Sequence, residues 1–290
     1  MSSTPPIMGS LGLGFVGVYM LLSIGCSKAE TRNPVEGSQN STEQILPANL
    51  DTDREGPYAV FLARILEEAE IPQELAQQIQ GAAGEGPAFL MDLLSVLEGD
   101  PYLRVLVDKE HALAAGYEPE DLVDLIGGSY QVSRPGLRLR KAAEMALEEM
   151  AAAAQADGVL LTASSTYRSY AYQETVYARN VRESGQETAD KESARPGHSQ
   201  HQLGLVVDFG SIDDAFAETT AGRWLGDQAR FFGWSLSYPQ GYEALTGYRW
   251  ECWHYRYVGR ELTSFIDTYF KGIQQYALRF IYQWEKAGGL

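Results

Sequence analysis

Polar and apolar positions follow a helical period before Asp100 and a mixed one after it. Between residues 57 and 100 the apolar residues recur every three to four positions, which predicts three helices. They are "YAVFLARILEEAEI", "PQELAQQIQGAA" with Pro72 at a first turn, and "PAFLMDLLSVLEGD". Beyond Asp100, "GLRLRKAAEMALEEMAAAAQADG" reads as one long amphipathic helix over residues 136–158, ending at Gly158. "VLLTASST" is short, apolar and β-branched, and predicts a strand. "SYAYQETVYARNVRESG" returns to the helical period. "LVVDFG" predicts a strand with Val206 and Asp208 on one face and Leu205 and Val207 on the other. A helix over "TAGRWLGDQARFFG", a short strand "WSLSY" and an aromatic-rich strand "YRWECWHYRYVG" follow. "RELTSFIDTYF" and "GIQQYALRFIYQWEKAG" close the chain as helices. Helices segregated around a few short strands predict an α+β fold, with a small antiparallel sheet flanked by helices and an N-terminal helical extension.

The N-terminus adds a second kind of signal. Residues 11–24 form an uncharged apolar run, the length of a signal-peptide core and short for a membrane span. The run ends Ser23-Ile24-Gly25-Cys26, and small residues before a cysteine resemble a bacterial lipoprotein signal. That signal usually has leucine where Ser23 stands, and this leader carries no Lys or Arg. An uncleaved anchor and a plain signal peptide are the alternatives. All three attach the chain to, or send it across, a membrane and place the remainder outside the cytoplasm. Residues 27–56 are rich in Ser, Thr, Asn, Glu and Pro and read as a flexible linker. The expected organisation is therefore 1–26 leader or anchor, 27–56 linker, 57–100 helical extension and 101–290 main domain.

Charge narrows the partners. Over 290 residues the formal net charge is −16, which repels phosphate backbones and argues against nucleic-acid binding. Hydrophobic residues make up 44% of the chain, enough for a substantial core. The two cysteines, Cys26 and Cys252, do not form a disulfide framework.

The stretch "PGHSQHQLGLVVDFG" is where chemistry enters. It places His198, His201 and Asp208 around Gly204 in an otherwise apolar run, and Glu251 and His254 follow in the aromatic strand. Metal-assisted hydrolysis needs three protein ligands, an open position for water and a nearby base. His201, Asp208 and His254 have the residue types for the ligands, and Glu251 for the base. Both spacings are odd, so on one regular strand each pair would point to opposite faces. A loop bent at Gly204, and a bulge or bend between Glu251 and His254, would be needed to bring them together. Taken alone, a His and an Asp so spaced are more often satisfied surface or core residues than metal ligands.

The surrounding residues go further. Ser199-x-His201-x-x-Gly204-x-x-x-Asp208, followed by Glu251-x-Trp253-His254, resembles the zinc D-alanyl-D-alanine carboxypeptidases of the vancomycin-resistance type. The resemblance runs over roughly residues 102–259 and includes "STYRSYAYQETVY". It implies that His201, Asp208 and His254 bind Zn²⁺ and that Glu251 is the general base. It also implies that Arg168, Gln173 and Ser199 hold the substrate, a peptidoglycan stem peptide ending in D-alanine. A guanidinium suits a terminal carboxylate, because its planar fork makes a two-pronged contact. An L,D-carboxypeptidase acting on tetrapeptide stems would carry the same motifs. A silent zinc module that binds peptidoglycan would have no use for Glu251. His198 lies outside the family's ligand set, and His111 reads as a surface histidine. Two positions depart from the family pattern: Cys252 stands for proline and Val206 for alanine. Val206 is expected to add bulk beside the site, and a Cys252 thiolate would close it as a fourth ligand.

Overall fold

A computed structural model describes residues 56–289. The leader, Cys26 and all but the last residue of the linker lie outside the described residues.

The chain builds two cores. The first joins the first and last helices of the described residues. Helices α1 (Pro57–Glu68), α2 (Gln73–Gly84) and α3 (Ala88–Glu98) lie where the helical period places them. Their apolar faces, including Leu62, Ile65, Ile79, Phe89 and Leu93, pack with α9 (Arg260–Tyr269) and α10 (Gln274–Lys286). Phe89, Phe265, Phe280 and Trp284 form a chain of ring contacts at this interface, with centroids 5.5–6.4 Å apart. The N-terminal helices are thus one half of a core whose other half comes from the C-terminus.

The second core lies under the sheet. Strands β1 (Leu122–Asp124) and β3 (Arg138–Arg140) form an antiparallel pair of their own. The other strands are β2 (Gln131–Val132), β4 (Thr162–Ser165), β5 (Val206–Phe209), β6 (Trp234–Leu236) and β7 (His254–Tyr257). They form a five-stranded sheet in the order β2-β4-β5-β7-β6. Three of its four pairings are antiparallel and the edge pair β2–β4 is parallel. Helix α4 (Lys141–Ala156) buries Leu147, Met150 and Ala151 in the same core as Val207, Phe209, Trp234 and Tyr255. Along β5, Val207 and Phe209 enter this core, while Val206 and Asp208 take the opposite face.

Three elements differ from the sequence expectation. The helix expected over residues 136–158 starts only at Lys141, because Arg138–Arg140 is strand. Leu137 and Leu139 are buried while Arg138 and Arg140 reach outward, a period of two that pairs with β1. The aromatic strand is four residues long rather than twelve. Residues 251–253 form a turn in which the His254 amide donates to the Glu251 carbonyl at 3.1 Å. The helix over residues 220–233 divides into α7 (Thr220–Gln228) and a tighter turn, Ala229–Phe232. Between these landmarks lie α5 (Tyr170–Ser184), α6 (Gln186–Glu192) and α8 (Glu243–Thr246).

Candidate active site

His201 sits in a short 3-10 turn, Gln200–Leu203, closed by Gly204 at φ 70°. A Cβ on Gly204 would approach Leu122 Cδ2 to 2.9 Å and Arg140 to 3.1 Å, so backbone angle and space both demand glycine. The bend lets β5 start at Val206 with Asp208 on the same side of the chain as His201. The odd spacing is resolved because only Asp208 is on a strand. Asp208 is then paired across the sheet with His254, the first residue of β7. Residues directly opposite in an antiparallel pair share a face.

One nitrogen or oxygen from each of His201, Asp208 and His254 lies within 4.8 Å of the others. His201 Nε2 is 3.2 Å from Asp208 Oδ2, and His254 Nδ1 is 3.0 Å from Asp208 Oδ1. All three side chains are buried. His201 Nδ1 lies 2.7 Å from the Thr166 carbonyl, which accepts its proton and leaves Nε2 free to ligate. His254 Nε2 lies 3.4 Å from Gln200 Oε1, which leaves Nδ1 facing Asp208. Asp208 Oδ1 has no hydrogen bond despite its burial, since its contact with His254 is poorly directed. A carboxylate set between two imidazoles, with one oxygen lacking a hydrogen bond, suits a divalent cation. The charges agree. Burial alone would raise the Asp208 pKa, but the two histidines hold it well below the usual carboxylate range. Burial and the Arg168 cation push His201 down to about 4 against the pull of Asp208. Burial alone would lower His254, yet Asp208 and Glu251 raise it to about 9.

The other expected residues line one cleft of about 280 Å³ with these three. Glu251 is in the turn before β7, with Oε2 3.3 Å from His254 Nδ1. Arg168, just after β4, donates from Nη2 to Asp208 Oδ2 at 2.9 Å and to Ser165 Oγ at 2.7 Å. Gln173 is buried on α5; its Nε2 donates to the Ala194 carbonyl at 2.7 Å and its Oε1 has no partner. Ser199 lies on the same wall.

Four expectations need correction or completion. Cys252 is not in the ligand group: its thiol turns to the Asp213 and Asp214 carbonyls at 3.6 and 3.9 Å, and burial raises its pKa. Val206 is buried but does not line the cleft. His111 is partly exposed, with Nδ1 2.8 Å from Asp108 Oδ1. His198 turns Nδ1 to the Asp108 carbonyl at 2.7 Å, away from the ligand group. The sequence reading also missed Tyr238 and Tyr248. The Tyr238 ring stacks obliquely on His254 at 4.7 Å and on Tyr248 at 4.8 Å. Their only signal was the tyrosine-rich run before Glu251. A larger hollow of about 440 Å³ lies between α1 and α2 and contains no His, Asp, Glu or Cys.

Comparison with known proteins agrees with this geometry. The family model for VanY, D-alanyl-D-alanine carboxypeptidase, matches residues 136–260. A D-alanyl-D-alanine carboxypeptidase of Enterococcus faecalis (strain ATCC 700802 / V583) is 31% identical over 218 residues, covering 71% of this chain and 78% of that protein. Among solved structures, the LdcB LD-carboxypeptidase superposes with a TM-score of 0.52 at 34% identity, over 58% of this chain and 85% of that one. The vancomycin-resistance D,D-pentapeptidase VanY, in a mutant form complexed with Zn(II), gives 0.51 at 31% identity, over 60% and 98%.

Proposed function

The chain belongs to the VanY D-alanyl-D-alanine carboxypeptidase family and is a metallopeptidase, and from this premise we propose that it is zinc-dependent and removes the terminal D-alanine of peptidoglycan stem peptides. One observation carries the reading. Glu251 lies 3.3 Å from His254 without belonging to the group His201, Asp208 and His254, so a base stands beside a three-ligand set.

His201 Nε2, Asp208 and His254 Nδ1 would hold the zinc, which when bound acidifies water and polarises the scissile carbonyl. Glu251 accepts the proton of the attacking water and returns it to the leaving amine of D-alanine. Arg168 receives the terminal carboxylate, while Ser165 holds the guanidinium from behind. Gln173 Oε1, buried and unpaired on the cleft wall, accepts a substrate N–H, and Ser199 contributes a hydroxyl. These groups place the peptide before reaction and so supply positioning as well as binding. All of them lie between residues 101 and 290, which we take as the catalytic domain, with 57–100 as its helical extension. The leader and linker would tether it at the outer face of the membrane, as a lipoprotein, where the substrate lies.

A second reading, an L,D-carboxypeptidase cleaving tetrapeptide stems, is favoured by the 34% identity to LdcB. Mass spectrometry of pentapeptide and tetrapeptide muropeptides incubated with the protein separates them. Loss of one D-alanine from the pentapeptide, abolished by a chelator, is expected. Cleavage of the tetrapeptide alone selects the second reading, and chelator-insensitive cleavage refutes zinc dependence.

A further inference from the structure

Helix α10 opens with two consecutive buried glutamines, Gln274 and Gln275, on a helix whose other buried residues are apolar. It lies beyond residue 260, where the family match ends. A buried amide must be paired to offset its desolvation, so a helix that merely filled space would carry leucine or methionine there. Both amides are paired, and the Gln274 chain of contacts leads to Gln200 on the wall of the cleft. Gln275 Nε2 donates to Asp108 Oδ2 at 2.7 Å, and the Asp108 carbonyl holds His198 Nδ1. Gln274 Nε2 donates to the Ser235 carbonyl and to Ser237 Oγ, both at 3.3 Å. Ser237 Oγ donates to Gln200 Oε1 at 2.8 Å, and the same Oε1 faces His254 Nε2 at 3.4 Å.

The direction of these bonds is set from the backbone. The Ser235 carbonyl can only accept, which fixes the Gln274 amide group towards it. Ser237 then accepts from Gln274 and gives its own proton to Gln200; its contact with Gln274 Oε1 is longer, 3.5 Å. A carbonyl oxygen cannot donate, so in this contact His254 Nε2 carries the hydrogen and Gln200 Oε1 accepts it. In the neutral ring that metal ligation requires, Nδ1 then carries the lone pair, and Nδ1 is the atom facing Asp208 and Glu251.

We propose that Gln274 is a positioning residue for His254, acting through Ser237 and Gln200 to fix the tautomer that presents Nδ1 to the metal. The proposal rests on the zinc reading above. It also gives the terminal helices a chemical task, since α1, α3 and α9 seat α10 in the first core.

The test is made on the full-length protein, with zinc affinity measured by competition with a chromophoric chelator. Nitrogen-15 NMR of the His254 ring reads the tautomer in parallel. Outer partners of metal-bound histidines typically tune affinity 10–100-fold. Gln274→Met and Ser237→Ala are expected to weaken zinc by about tenfold or more, with the His254 tautomer no longer single. Ser237→Thr, which keeps the hydroxyl, is expected to restore both. Ser237→Ala removes one oxygen from a small side chain and serves if Gln274→Met does not fold. Unchanged affinity and tautomer in Ser237→Ala, in a protein whose single zinc is lost on His201→Ala, would overturn the proposal and leave the zinc reading intact. A wild-type protein that binds no zinc would overturn both.

Discussion

The core made by the first and last described helices buries almost entirely hydrocarbon, whereas the sheet half adds to its apolar core two imidazoles, a carboxylate and an arginine. Phe89, Phe265, Phe280 and Trp284 in the first need only shape-matched neighbours. In the second, His201, Asp208 and His254 are held by directed contacts to Thr166, Arg168 and Gln200. Arg256 is wholly buried there, donating to the carbonyls of Leu103 and Val105 while Nε and Nη1 go unpaired. Apolar packing is non-directional and tolerant, while a buried polar array is costly wherever one member lacks its partner. The first core therefore serves packing alone, while the sheet half combines its own apolar packing with a buried polar array that serves chemistry.

That contrast can be broken in order of effect. Replacing a ligand should be most severe: His201→Ala or His254→Ala is expected to remove most of the zinc and all measurable turnover. Metal analysis of the purified variants checks this, and full zinc retention in both would show the ligand set to be wrong. Glu251→Ala should lower kcat by about 10²–10⁴-fold, the range of acid–base catalysis, while zinc content and melting temperature stay near wild type. Turnover close to wild type would assign the base elsewhere.

The apolar half should answer in the opposite currency. Phe280→Ala is expected to cost about 3–5 kcal/mol of unfolding free energy, from lost transfer and the cavity left behind. Denaturant titration measures the loss. Well below the new midpoint, the folded protein should keep kcat within a few-fold, and a drop like that of Glu251→Ala would erase the distinction between the two cores.

Arg168→Lys tests the border of the polar half, since lysine keeps the charge and loses the fork. Catalytic efficiency should fall about tenfold, the equivalent of 1.4 kcal/mol. Matched free-acid and amidated D-Ala-D-Ala peptides read the cause: the wild type should refuse the amide, and the variant should discriminate less. Equal cleavage of both by wild type would refute a carboxylate clamp. Least of all, Leu278→Met in the first core should cost under about 1.5 kcal/mol in the same titration, because the swap conserves volume.

The two halves were also unequally legible. Helices α1, α2, α3, α9 and α10 were readable because each is long enough for its apolar period to show. Strand β3 was not, because three residues of alternation run straight into the strong pattern of α4 and its partner β1 lies sixteen residues earlier in the chain. His201, Asp208, Glu251 and His254 were readable as residue types in a family's order. Their meeting was not, since it depends on the bend at Gly204 and the turn at residues 251–253. Tyr238 and Tyr248 carried no mark that distinguished them from the chain's other tyrosines.

By itself the sequence determined the longer helices, the strands β4 to β7, the sign of the charge and the set of side chains capable of metal-assisted hydrolysis. These depend on local periodicity and side-chain chemistry, which each segment carries with it. The tertiary structure alone decided that the first and last described helices share one core, that Cys252 turns away from the ligands, and that Gln274 meets Ser237 beside Gln200. Those are contacts between segments far apart in the chain, created only when the sheet register sets Asp208 opposite His254 and the helices close over it.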